Sequence, residues 1–165
     1  MIFRNRFAPF VNISPDESYS ERNRAWQGAP SVALTRGGRL YLTFMSGGIY
    51  EPDPRNCAII QYSDDGGDRW SEPVAVLESR PDERIRVSYP EFVEGKDGTL
   101  YVVYDRERNN KIRKSRVTGY SEAAKEILFA RIPPEALSGG VTADTVRARV
   151  VSKAGINTLV NRFTL

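Results

Sequence analysis

Apolar residues along the chain gather in short runs separated by turns rich in glycine and proline. The runs are Val32–Leu34, Leu40–Met45, Cys57–Tyr62 and Val74–Leu77, then Glu91–Val93, Leu100–Tyr104, Ile127–Ile132 and Val146–Val151. Runs of this length between turn residues predict β-strands. The chain also aligns with itself at an offset of 60. Pro30-Ser31-Val32 falls on Pro90-Glu91-Phe92, Gly38-Arg39-Leu40-Tyr41-Leu42 on Gly98-Thr99-Leu100-Tyr101-Val102, and Phe44 on Tyr104. The eight runs therefore form two sets of four, and a repeat of this size in short strands predicts a propeller or related array.

The second run of each set is almost continuously apolar: Leu40-Tyr41-Leu42-Thr43-Phe44-Met45 and Leu100-Tyr101-Val102-Val103-Tyr104. Strands that lack polar alternation are buried on both faces. Four-stranded antiparallel sheets stacked face to face around an axis meet that condition, whereas a simple sandwich leaves one face polar. The fold class expected is all-β: a partial propeller of about two four-stranded antiparallel blades, spanning residues 26–79 and 84–153. In the second unit the third run starts nine residues later than the offset predicts. The extra residues fall in the basic stretch 106–116 and in Val117–Ser121, so an insertion near 106–125 is expected between strands.

Composition narrows the chemistry. The 165 residues include no histidine and one cysteine, Cys57, which sits in an apolar run. A serine–histidine triad is thereby excluded, a zinc site is unexpected, and Cys57 reads as a buried inert thiol. No cofactor is called for. The net charge is +3, but residues 106–116 hold six basic and one acidic side chain, so the rest of the chain is near −2. One basic loop without aromatic support predicts a solvated segment and not a nucleic-acid face. No apolar run reaches the roughly 18 residues of a membrane span. Met1–Arg6 carries charges where a signal peptide keeps its apolar stretch, so neither a membrane nor export is expected, and the location is read as cytoplasmic. Asn12-Ile13-Ser14 fits the glycosylation pattern fortuitously, and Pro133–Leu137 is expected to open a short helix.

Between the third and fourth runs of the first unit stands Ser63-Asp64-Asp65-Gly66-Gly67-Asp68-Arg69-Trp70. Ser63, Asp65, Gly67 and Trp70 resemble the Asp box, Ser-x-Asp-x-Gly-x-x-Trp, of sialidases and related glycoside hydrolases; Arg69 stands where Thr or Ser is usual. Ser and Asp side chains accept backbone N–H bonds to close such a turn, and the tryptophan is expected to tuck between neighbouring sheets. These residues are read as structural. The resemblance extends along the chain. Trp26-Gln27-Gly28-Ala29-Pro30-Ser31 with Ser71-Glu72-Pro73 is similar to the first blade of six-bladed bacterial sialidase-like hydrolases. Arg86-Val87-Ser88-Tyr89-Pro90, Asp97-Gly98-Thr99, Tyr104-Asp105-Arg106 and Glu126–Arg131 are similar to their last blade. The intervening blades have no counterpart here, but in a closed ring the first and last blades are neighbours.

The resemblance implies a glycan or glycoside substrate and retaining cleavage through a tyrosine nucleophile. Tyr89 falls where that nucleophile is expected, and Asp53, flanked by Pro52 and Pro54, lies in the region that carries the acid/base aspartate. Arg106 and Arg24 are candidates to hold an acidic substrate group. Two departures weaken the site. Gly28-Ala29-Pro30 stands where the family has Arg-Ile-Pro, and the base that activates the tyrosine belongs to an absent blade. The expectation is a fragment or shortened form of a sialidase-like exo-glycosidase, inactive or weak alone. The alternatives are a two-blade carbohydrate-binding module that associates through its exposed blade faces, and a structural domain with no sugar site.

Overall fold

The computed structural model describes residues 11–50, 53, 55–79, 85–108, 124–137 and 147–153. The chain is mostly β-strand, arranged as two antiparallel sheets. The first sheet has five strands: β1 (Val11–Asn12), β2 (Gln27–Leu34), β3 (Leu40–Ser46), β4 (Cys57–Ser63) and β5 (Ala75–Leu77), in the order β1-β5-β4-β3-β2. The second has four: β6 (Ile85–Glu94), β7 (Leu100–Arg108), β8 (Ala124–Ile132) and β9 (Arg147–Lys153), in sequence order. Pro134–Leu137 forms the one-turn helix α1. Among the described residues no helix is long and apolar enough to cross a membrane.

The sheets pack face to face through one core. Ala58, Ile60, Ala75 and Leu77 of the first meet Leu100, Val102, Leu128, Ala130 and Ile132 of the second, all fully buried. Alanines at 58, 75 and 130 let the layers approach, and Tyr41 meets Phe92 edge to face across the seam at 6.2 Å between ring centroids. Each buried Leu or Ile contributes about 1.5–3 kcal/mol to this packing. Phe44, Cys57, Ile59 and Val76 form a second cluster on the outer side of the first sheet, partly covered by Tyr19 from the turn Glu17–Tyr19. The run of β3 is thus largely covered on both sides, as expected, whereas β7 is buried on one side only and leaves Val103 42% exposed on the other, so burial on both faces does not hold for the second sheet.

Several expectations need correction. The first strand of each unit is longer than its apolar run, Gln27–Leu34 in place of Val32–Leu34 and Ile85–Glu94 in place of Glu91–Val93. Each contains a β-bulge, between Gly28 and Ser31 and between Ser88 and Glu91, which breaks the alternation that a pattern search follows. The first sheet gains a fifth strand because β1 adds to the edge of β5. Trp70 does not seal the seam between the sheets. Its ring lies on the outer side of the first sheet and is 38% exposed, because the sheet packed on the second unit turns its other face inward. The basic segment begins inside a strand. Arg106–Arg108 continue β7, and Arg106 is fully buried, not solvated. Residues 109–123, which include the rest of that segment and Val117–Ser121, lie outside the described residues, as do Met1–Arg6, Pro52 and Pro54.

Candidate functional site

The two sheets share a common sense of up and down. The backbone N–H of Arg36, just beyond β2, donates to Glu94 Oε2 at the end of β6 at 2.9 Å, which places the C-terminal ends of β2 and β6 together. The N-terminal halves, with both bulges, are therefore at the opposite end. The chain leaves β3 and re-enters β4 at that same end, because Ser46 pairs with Cys57 beside the start of β2. Tyr89 and Asp53 belong to this end, and the Asp-box turn, which follows β4, belongs to the other.

The bulges repeat in detail. Ala29 and Tyr89, 60 residues apart and each preceding a proline, both have φ of 48°. A non-glycine residue in the left-handed region is strained by about 1–2 kcal/mol, and such strain gathers at functional sites. At Tyr89 the kink presents the side chain outward, 64% exposed. Asp53 is instead buried, 3% exposed. Its Oδ1 accepts from Arg55 N at 2.8 Å and Arg55 Nε at 3.0 Å, and its Oδ2 from Arg55 Nη2 at 2.9 Å. This forked pair, first among the causes, holds the Asp53 carboxyl far below the usual carboxylate range. Gly48 N donates to Asn56 Oδ1 at 2.8 Å and Asn56 Nδ2 to Tyr50 O at 3.1 Å, so the loop around Asp53 is closed by its own bonds. Among the described residues the hydrogen bonds of Asp53 stay within residues 49–55, and none joins it to Tyr89.

The pairing makes a pH signature. The folded Asp53 carboxyl titrates below its unfolded value of about 3.9, so its contribution to stability is complete above about pH 4 and is lost as the pH falls through the folded value. Urea midpoints recorded from pH 5 to pH 3 are expected to fall more steeply for the unaltered chain than for Asp53→Asn. Parallel curves would mean that the pair adds nothing.

Beneath the bulge of β6 lies an ion pair that sequence reasoning missed. Arg106 Nη1 donates to Glu78 Oε2 at 3.0 Å, Tyr104 Oη donates to Glu78 Oε1 at 3.1 Å, and both charged side chains are fully enclosed. Glu78 follows β5 with φ of 61°. Arg106 is thus committed to a protein carboxylate and has no surface open to a ligand. Glu78 pairs with Tyr104 and Arg106, which lie 26 and 28 residues away along the chain. Arg55, by contrast, stands two residues after Asp53, a spacing that could have been read as a local pair.

Arg24 is on the outer side of the first sheet, apart from Tyr89 and Asp53. Its guanidinium carbon is 5.1 Å from the centre of the Phe44 ring. Its Nε and Nη1 are buried without a hydrogen-bond partner among the described residues, and burial pulls its pKa below the ordinary arginine value. It borders a cavity of about 510 Å³ with Glu21, Gln27, Leu42, Phe44 and Trp70. At the lower end Gly67 N donates to Ser63 Oγ at 2.9 Å, Ser63 Oγ to Asp65 Oδ1 at 2.8 Å, and Arg69 N to Asp65 Oδ1 at 2.9 Å. These bonds occupy Ser63 and Asp65 in closing a turn. Cys57 is buried, and desolvation pushes its thiol up to about 12, so it is no nucleophile at neutral pH. Among the described residues no group of three or more His, Cys, Asp or Glu could hold a metal ion. No protein-family model matches the chain, and no curated protein matches it significantly.

Proposed function

We propose that the chain supplies two adjacent blades of a sialidase-type β-propeller that acts on glycans as an exo-glycosidase, weakly or not at all by itself. The observation that carries this reading is the Asp-box turn: Ser63 and Asp65 make the motif's internal bonds at the end of the sheet opposite the two strained bulges. In this reading Tyr89 is the nucleophile, presented by its bulge, and Asp53 is the acid/base group. As held by Arg55, Asp53 is a carboxylate that can accept a proton. Donating one requires the Arg55 side chain, 56% exposed, to swing aside when substrate enters. A phenol titrating near 10 needs a carboxylate beside it to attack at neutral pH, and Glu78 is spoken for by Arg106 and Tyr104, which accords with weak activity. Arg106 supports the site from below, and Arg24 stands apart from it.

The test is a panel of aryl glycosides, including an aryl sialoside, with release of the phenol followed at neutral pH. Turnover is expected to be slow and to drop by about a hundredfold or more in Tyr89→Phe and in Asp53→Asn, the range for loss of a nucleophile or proton-transfer group. Turnover that both substitutions leave unchanged would remove the site assignment. A second reading, a two-blade carbohydrate-binding module, is favoured by the apolar residues exposed on the outer side of both sheets; it is met if glycans bind without turnover.

A further inference from the structure

We infer that the cavity on the outer side of the first sheet binds the ring of a neutral hexopyranoside, at a place apart from Tyr89 and Asp53. Its volume of about 510 Å³ lies within the roughly 300–1,000 Å³ of small-molecule sites. Leu42 and Phe44 alternate along β3 and so face it together. Gln61, paired with Leu42 across the sheet, faces the same way. Phe44 is buried and Leu42 half-buried, which makes a largely closed apolar floor.

Both walls are fixed before any ligand arrives. On one side Ser71 N donates to Tyr62 O at 2.8 Å, Tyr62 N to Ser71 Oγ at 3.0 Å, and Gln61 Nε2 to Ser71 O. These bonds strap residues 70–72 alongside β4 and leave Trp70 38% exposed at the cavity. On the other side Arg24 N donates to Glu21 O at 3.2 Å and Ser46 Oγ to Trp26 O at 2.7 Å, while the Arg24 guanidinium rests on the Phe44 ring. A site that needs no ordering keeps more of its contact energy as affinity.

The polar groups of the lining select the ligand. Among the described residues the side chains of Glu21, Gln27 and Glu72 make no hydrogen bond or ion pair, and Arg24 has no acceptor. Nε and Nη1 of Arg24 are enclosed, so a ligand meets the guanidinium at Nη2. With one cation and two carboxylates the lining is net negative. An acidic sugar would set a third carboxylate against Glu21 and Glu72 for a single guanidinium. An ammonium would suit the carboxylates but repel Arg24 and leave it without an acceptor. A hydroxyl both accepts and donates, so neighbouring hydroxyls of one ring serve Arg24 and the carboxylates at once. A neutral pyranose carries such hydroxyls around its edge and an apolar C–H face that packs on an exposed indole.

Such a site rests on the carbohydrate-binding reading and stands whether or not Tyr89 and Asp53 turn a glycoside over. The test is an NMR titration of the whole isotope-labelled chain, which has two tryptophans, with methyl glucoside, galactoside and mannoside. The Trp70 indole N–H, assigned by its loss in Trp70→Phe, is expected to shift with at least one of them at a Kd on the order of 1–10 mM. Methyl glucuronide, a methyl sialoside and methyl glucosaminide are expected to bind about tenfold more weakly or worse. Trp70→Ala is expected to abolish binding, and Asp53→Asn to leave it unchanged. The double substitution Glu21→Gln with Glu72→Gln, both on exposed side chains, makes the lining net positive and is expected to bring the glucuronide above the glucoside. It keeps the test open should Trp70→Ala fail to fold. The site is overturned if none of the three neutral sugars shifts the indole, if an acidic or ammonium sugar binds the unaltered chain more tightly, or if the glutamine pair keeps the same preference. Sugar binding that needs Asp53 and ignores Trp70 would overturn this site while keeping the binding reading.

Discussion

Replacing Arg106 by methionine is expected to lower the unfolding free energy by about 3–5 kcal/mol, the usual cost of stranding one member of a buried ion pair. Glu78 would lose the Arg106 guanidinium in a site with no exposed surface, where it also accepts from the Tyr104 hydroxyl. That is a large share of the roughly 5–15 kcal/mol that holds a domain folded. The double substitution Arg106→Met with Glu78→Gln is expected to recover about half of the loss, because the charge is gone while the amide oxygen still accepts from Tyr104. Equilibrium urea denaturation of the three chains decides it. A single variant within about 1 kcal/mol of the starting chain would mean that Glu78 reaches water or takes up a proton at little cost. The same measurement bears on the site: Glu78 and Arg106 tie β5 to β7 directly below the Tyr89 bulge, so loosening them frees the strand that presents the tyrosine.

How much of this was legible in the sequence depends on the range of the interaction. The centres of β3, β4, β7 and β8 were visible because each is a short, nearly continuous apolar run between turns, although on β7 and β8 only one side of that run is buried. The glycine turns at Gly38 and Gly98 were visible because both have positive φ, 86° and 80°, in matching frames of the repeat. The starts of β2 and β6 were hidden, since a bulge moves every later side chain to the other face and erases the period-two signal. The Asp-box residues could be placed from local bonding alone. Which face of the sheet Trp70 would cover could not, because that depends on which neighbour the sheet packs against. Asp53 was visible as an acid in a turn, yet its ionisation is set by Arg55. The Glu78–Arg106 pair was invisible: its members come from different sheets, and no short-range pattern marks an acid that will be enclosed.

The loop that carries Asp53 hangs on one backbone position, and Gly47→Ala is expected to cost about 2–4 kcal/mol. Gly47 has φ of 137°, a region almost closed to residues with a side chain, which alone costs about 1–3 kcal/mol. A β-carbon there would also lie 2.3 Å from the Arg55 carbonyl oxygen, a backbone atom that cannot turn away. Relief requires Gly47 and the Arg55 backbone to move apart, and with Arg55 the fork that keeps Asp53 ionised. Gly66→Ala in the Asp-box turn is the control. Its φ of 78° is likewise positive, but nothing lies within 4 Å of the added carbon, so only the left-handed penalty of about 1 kcal/mol applies. The two substitutions make the same chemical change at opposite ends of the same sheet. Urea midpoints should separate them by at least about 1 kcal/mol, and only Gly47→Ala should flatten the fall in stability below pH 4. Equal losses, or a pH response retained in Gly47→Ala, would show that Arg55 and Asp53 stay paired without the loop geometry that Gly47 permits.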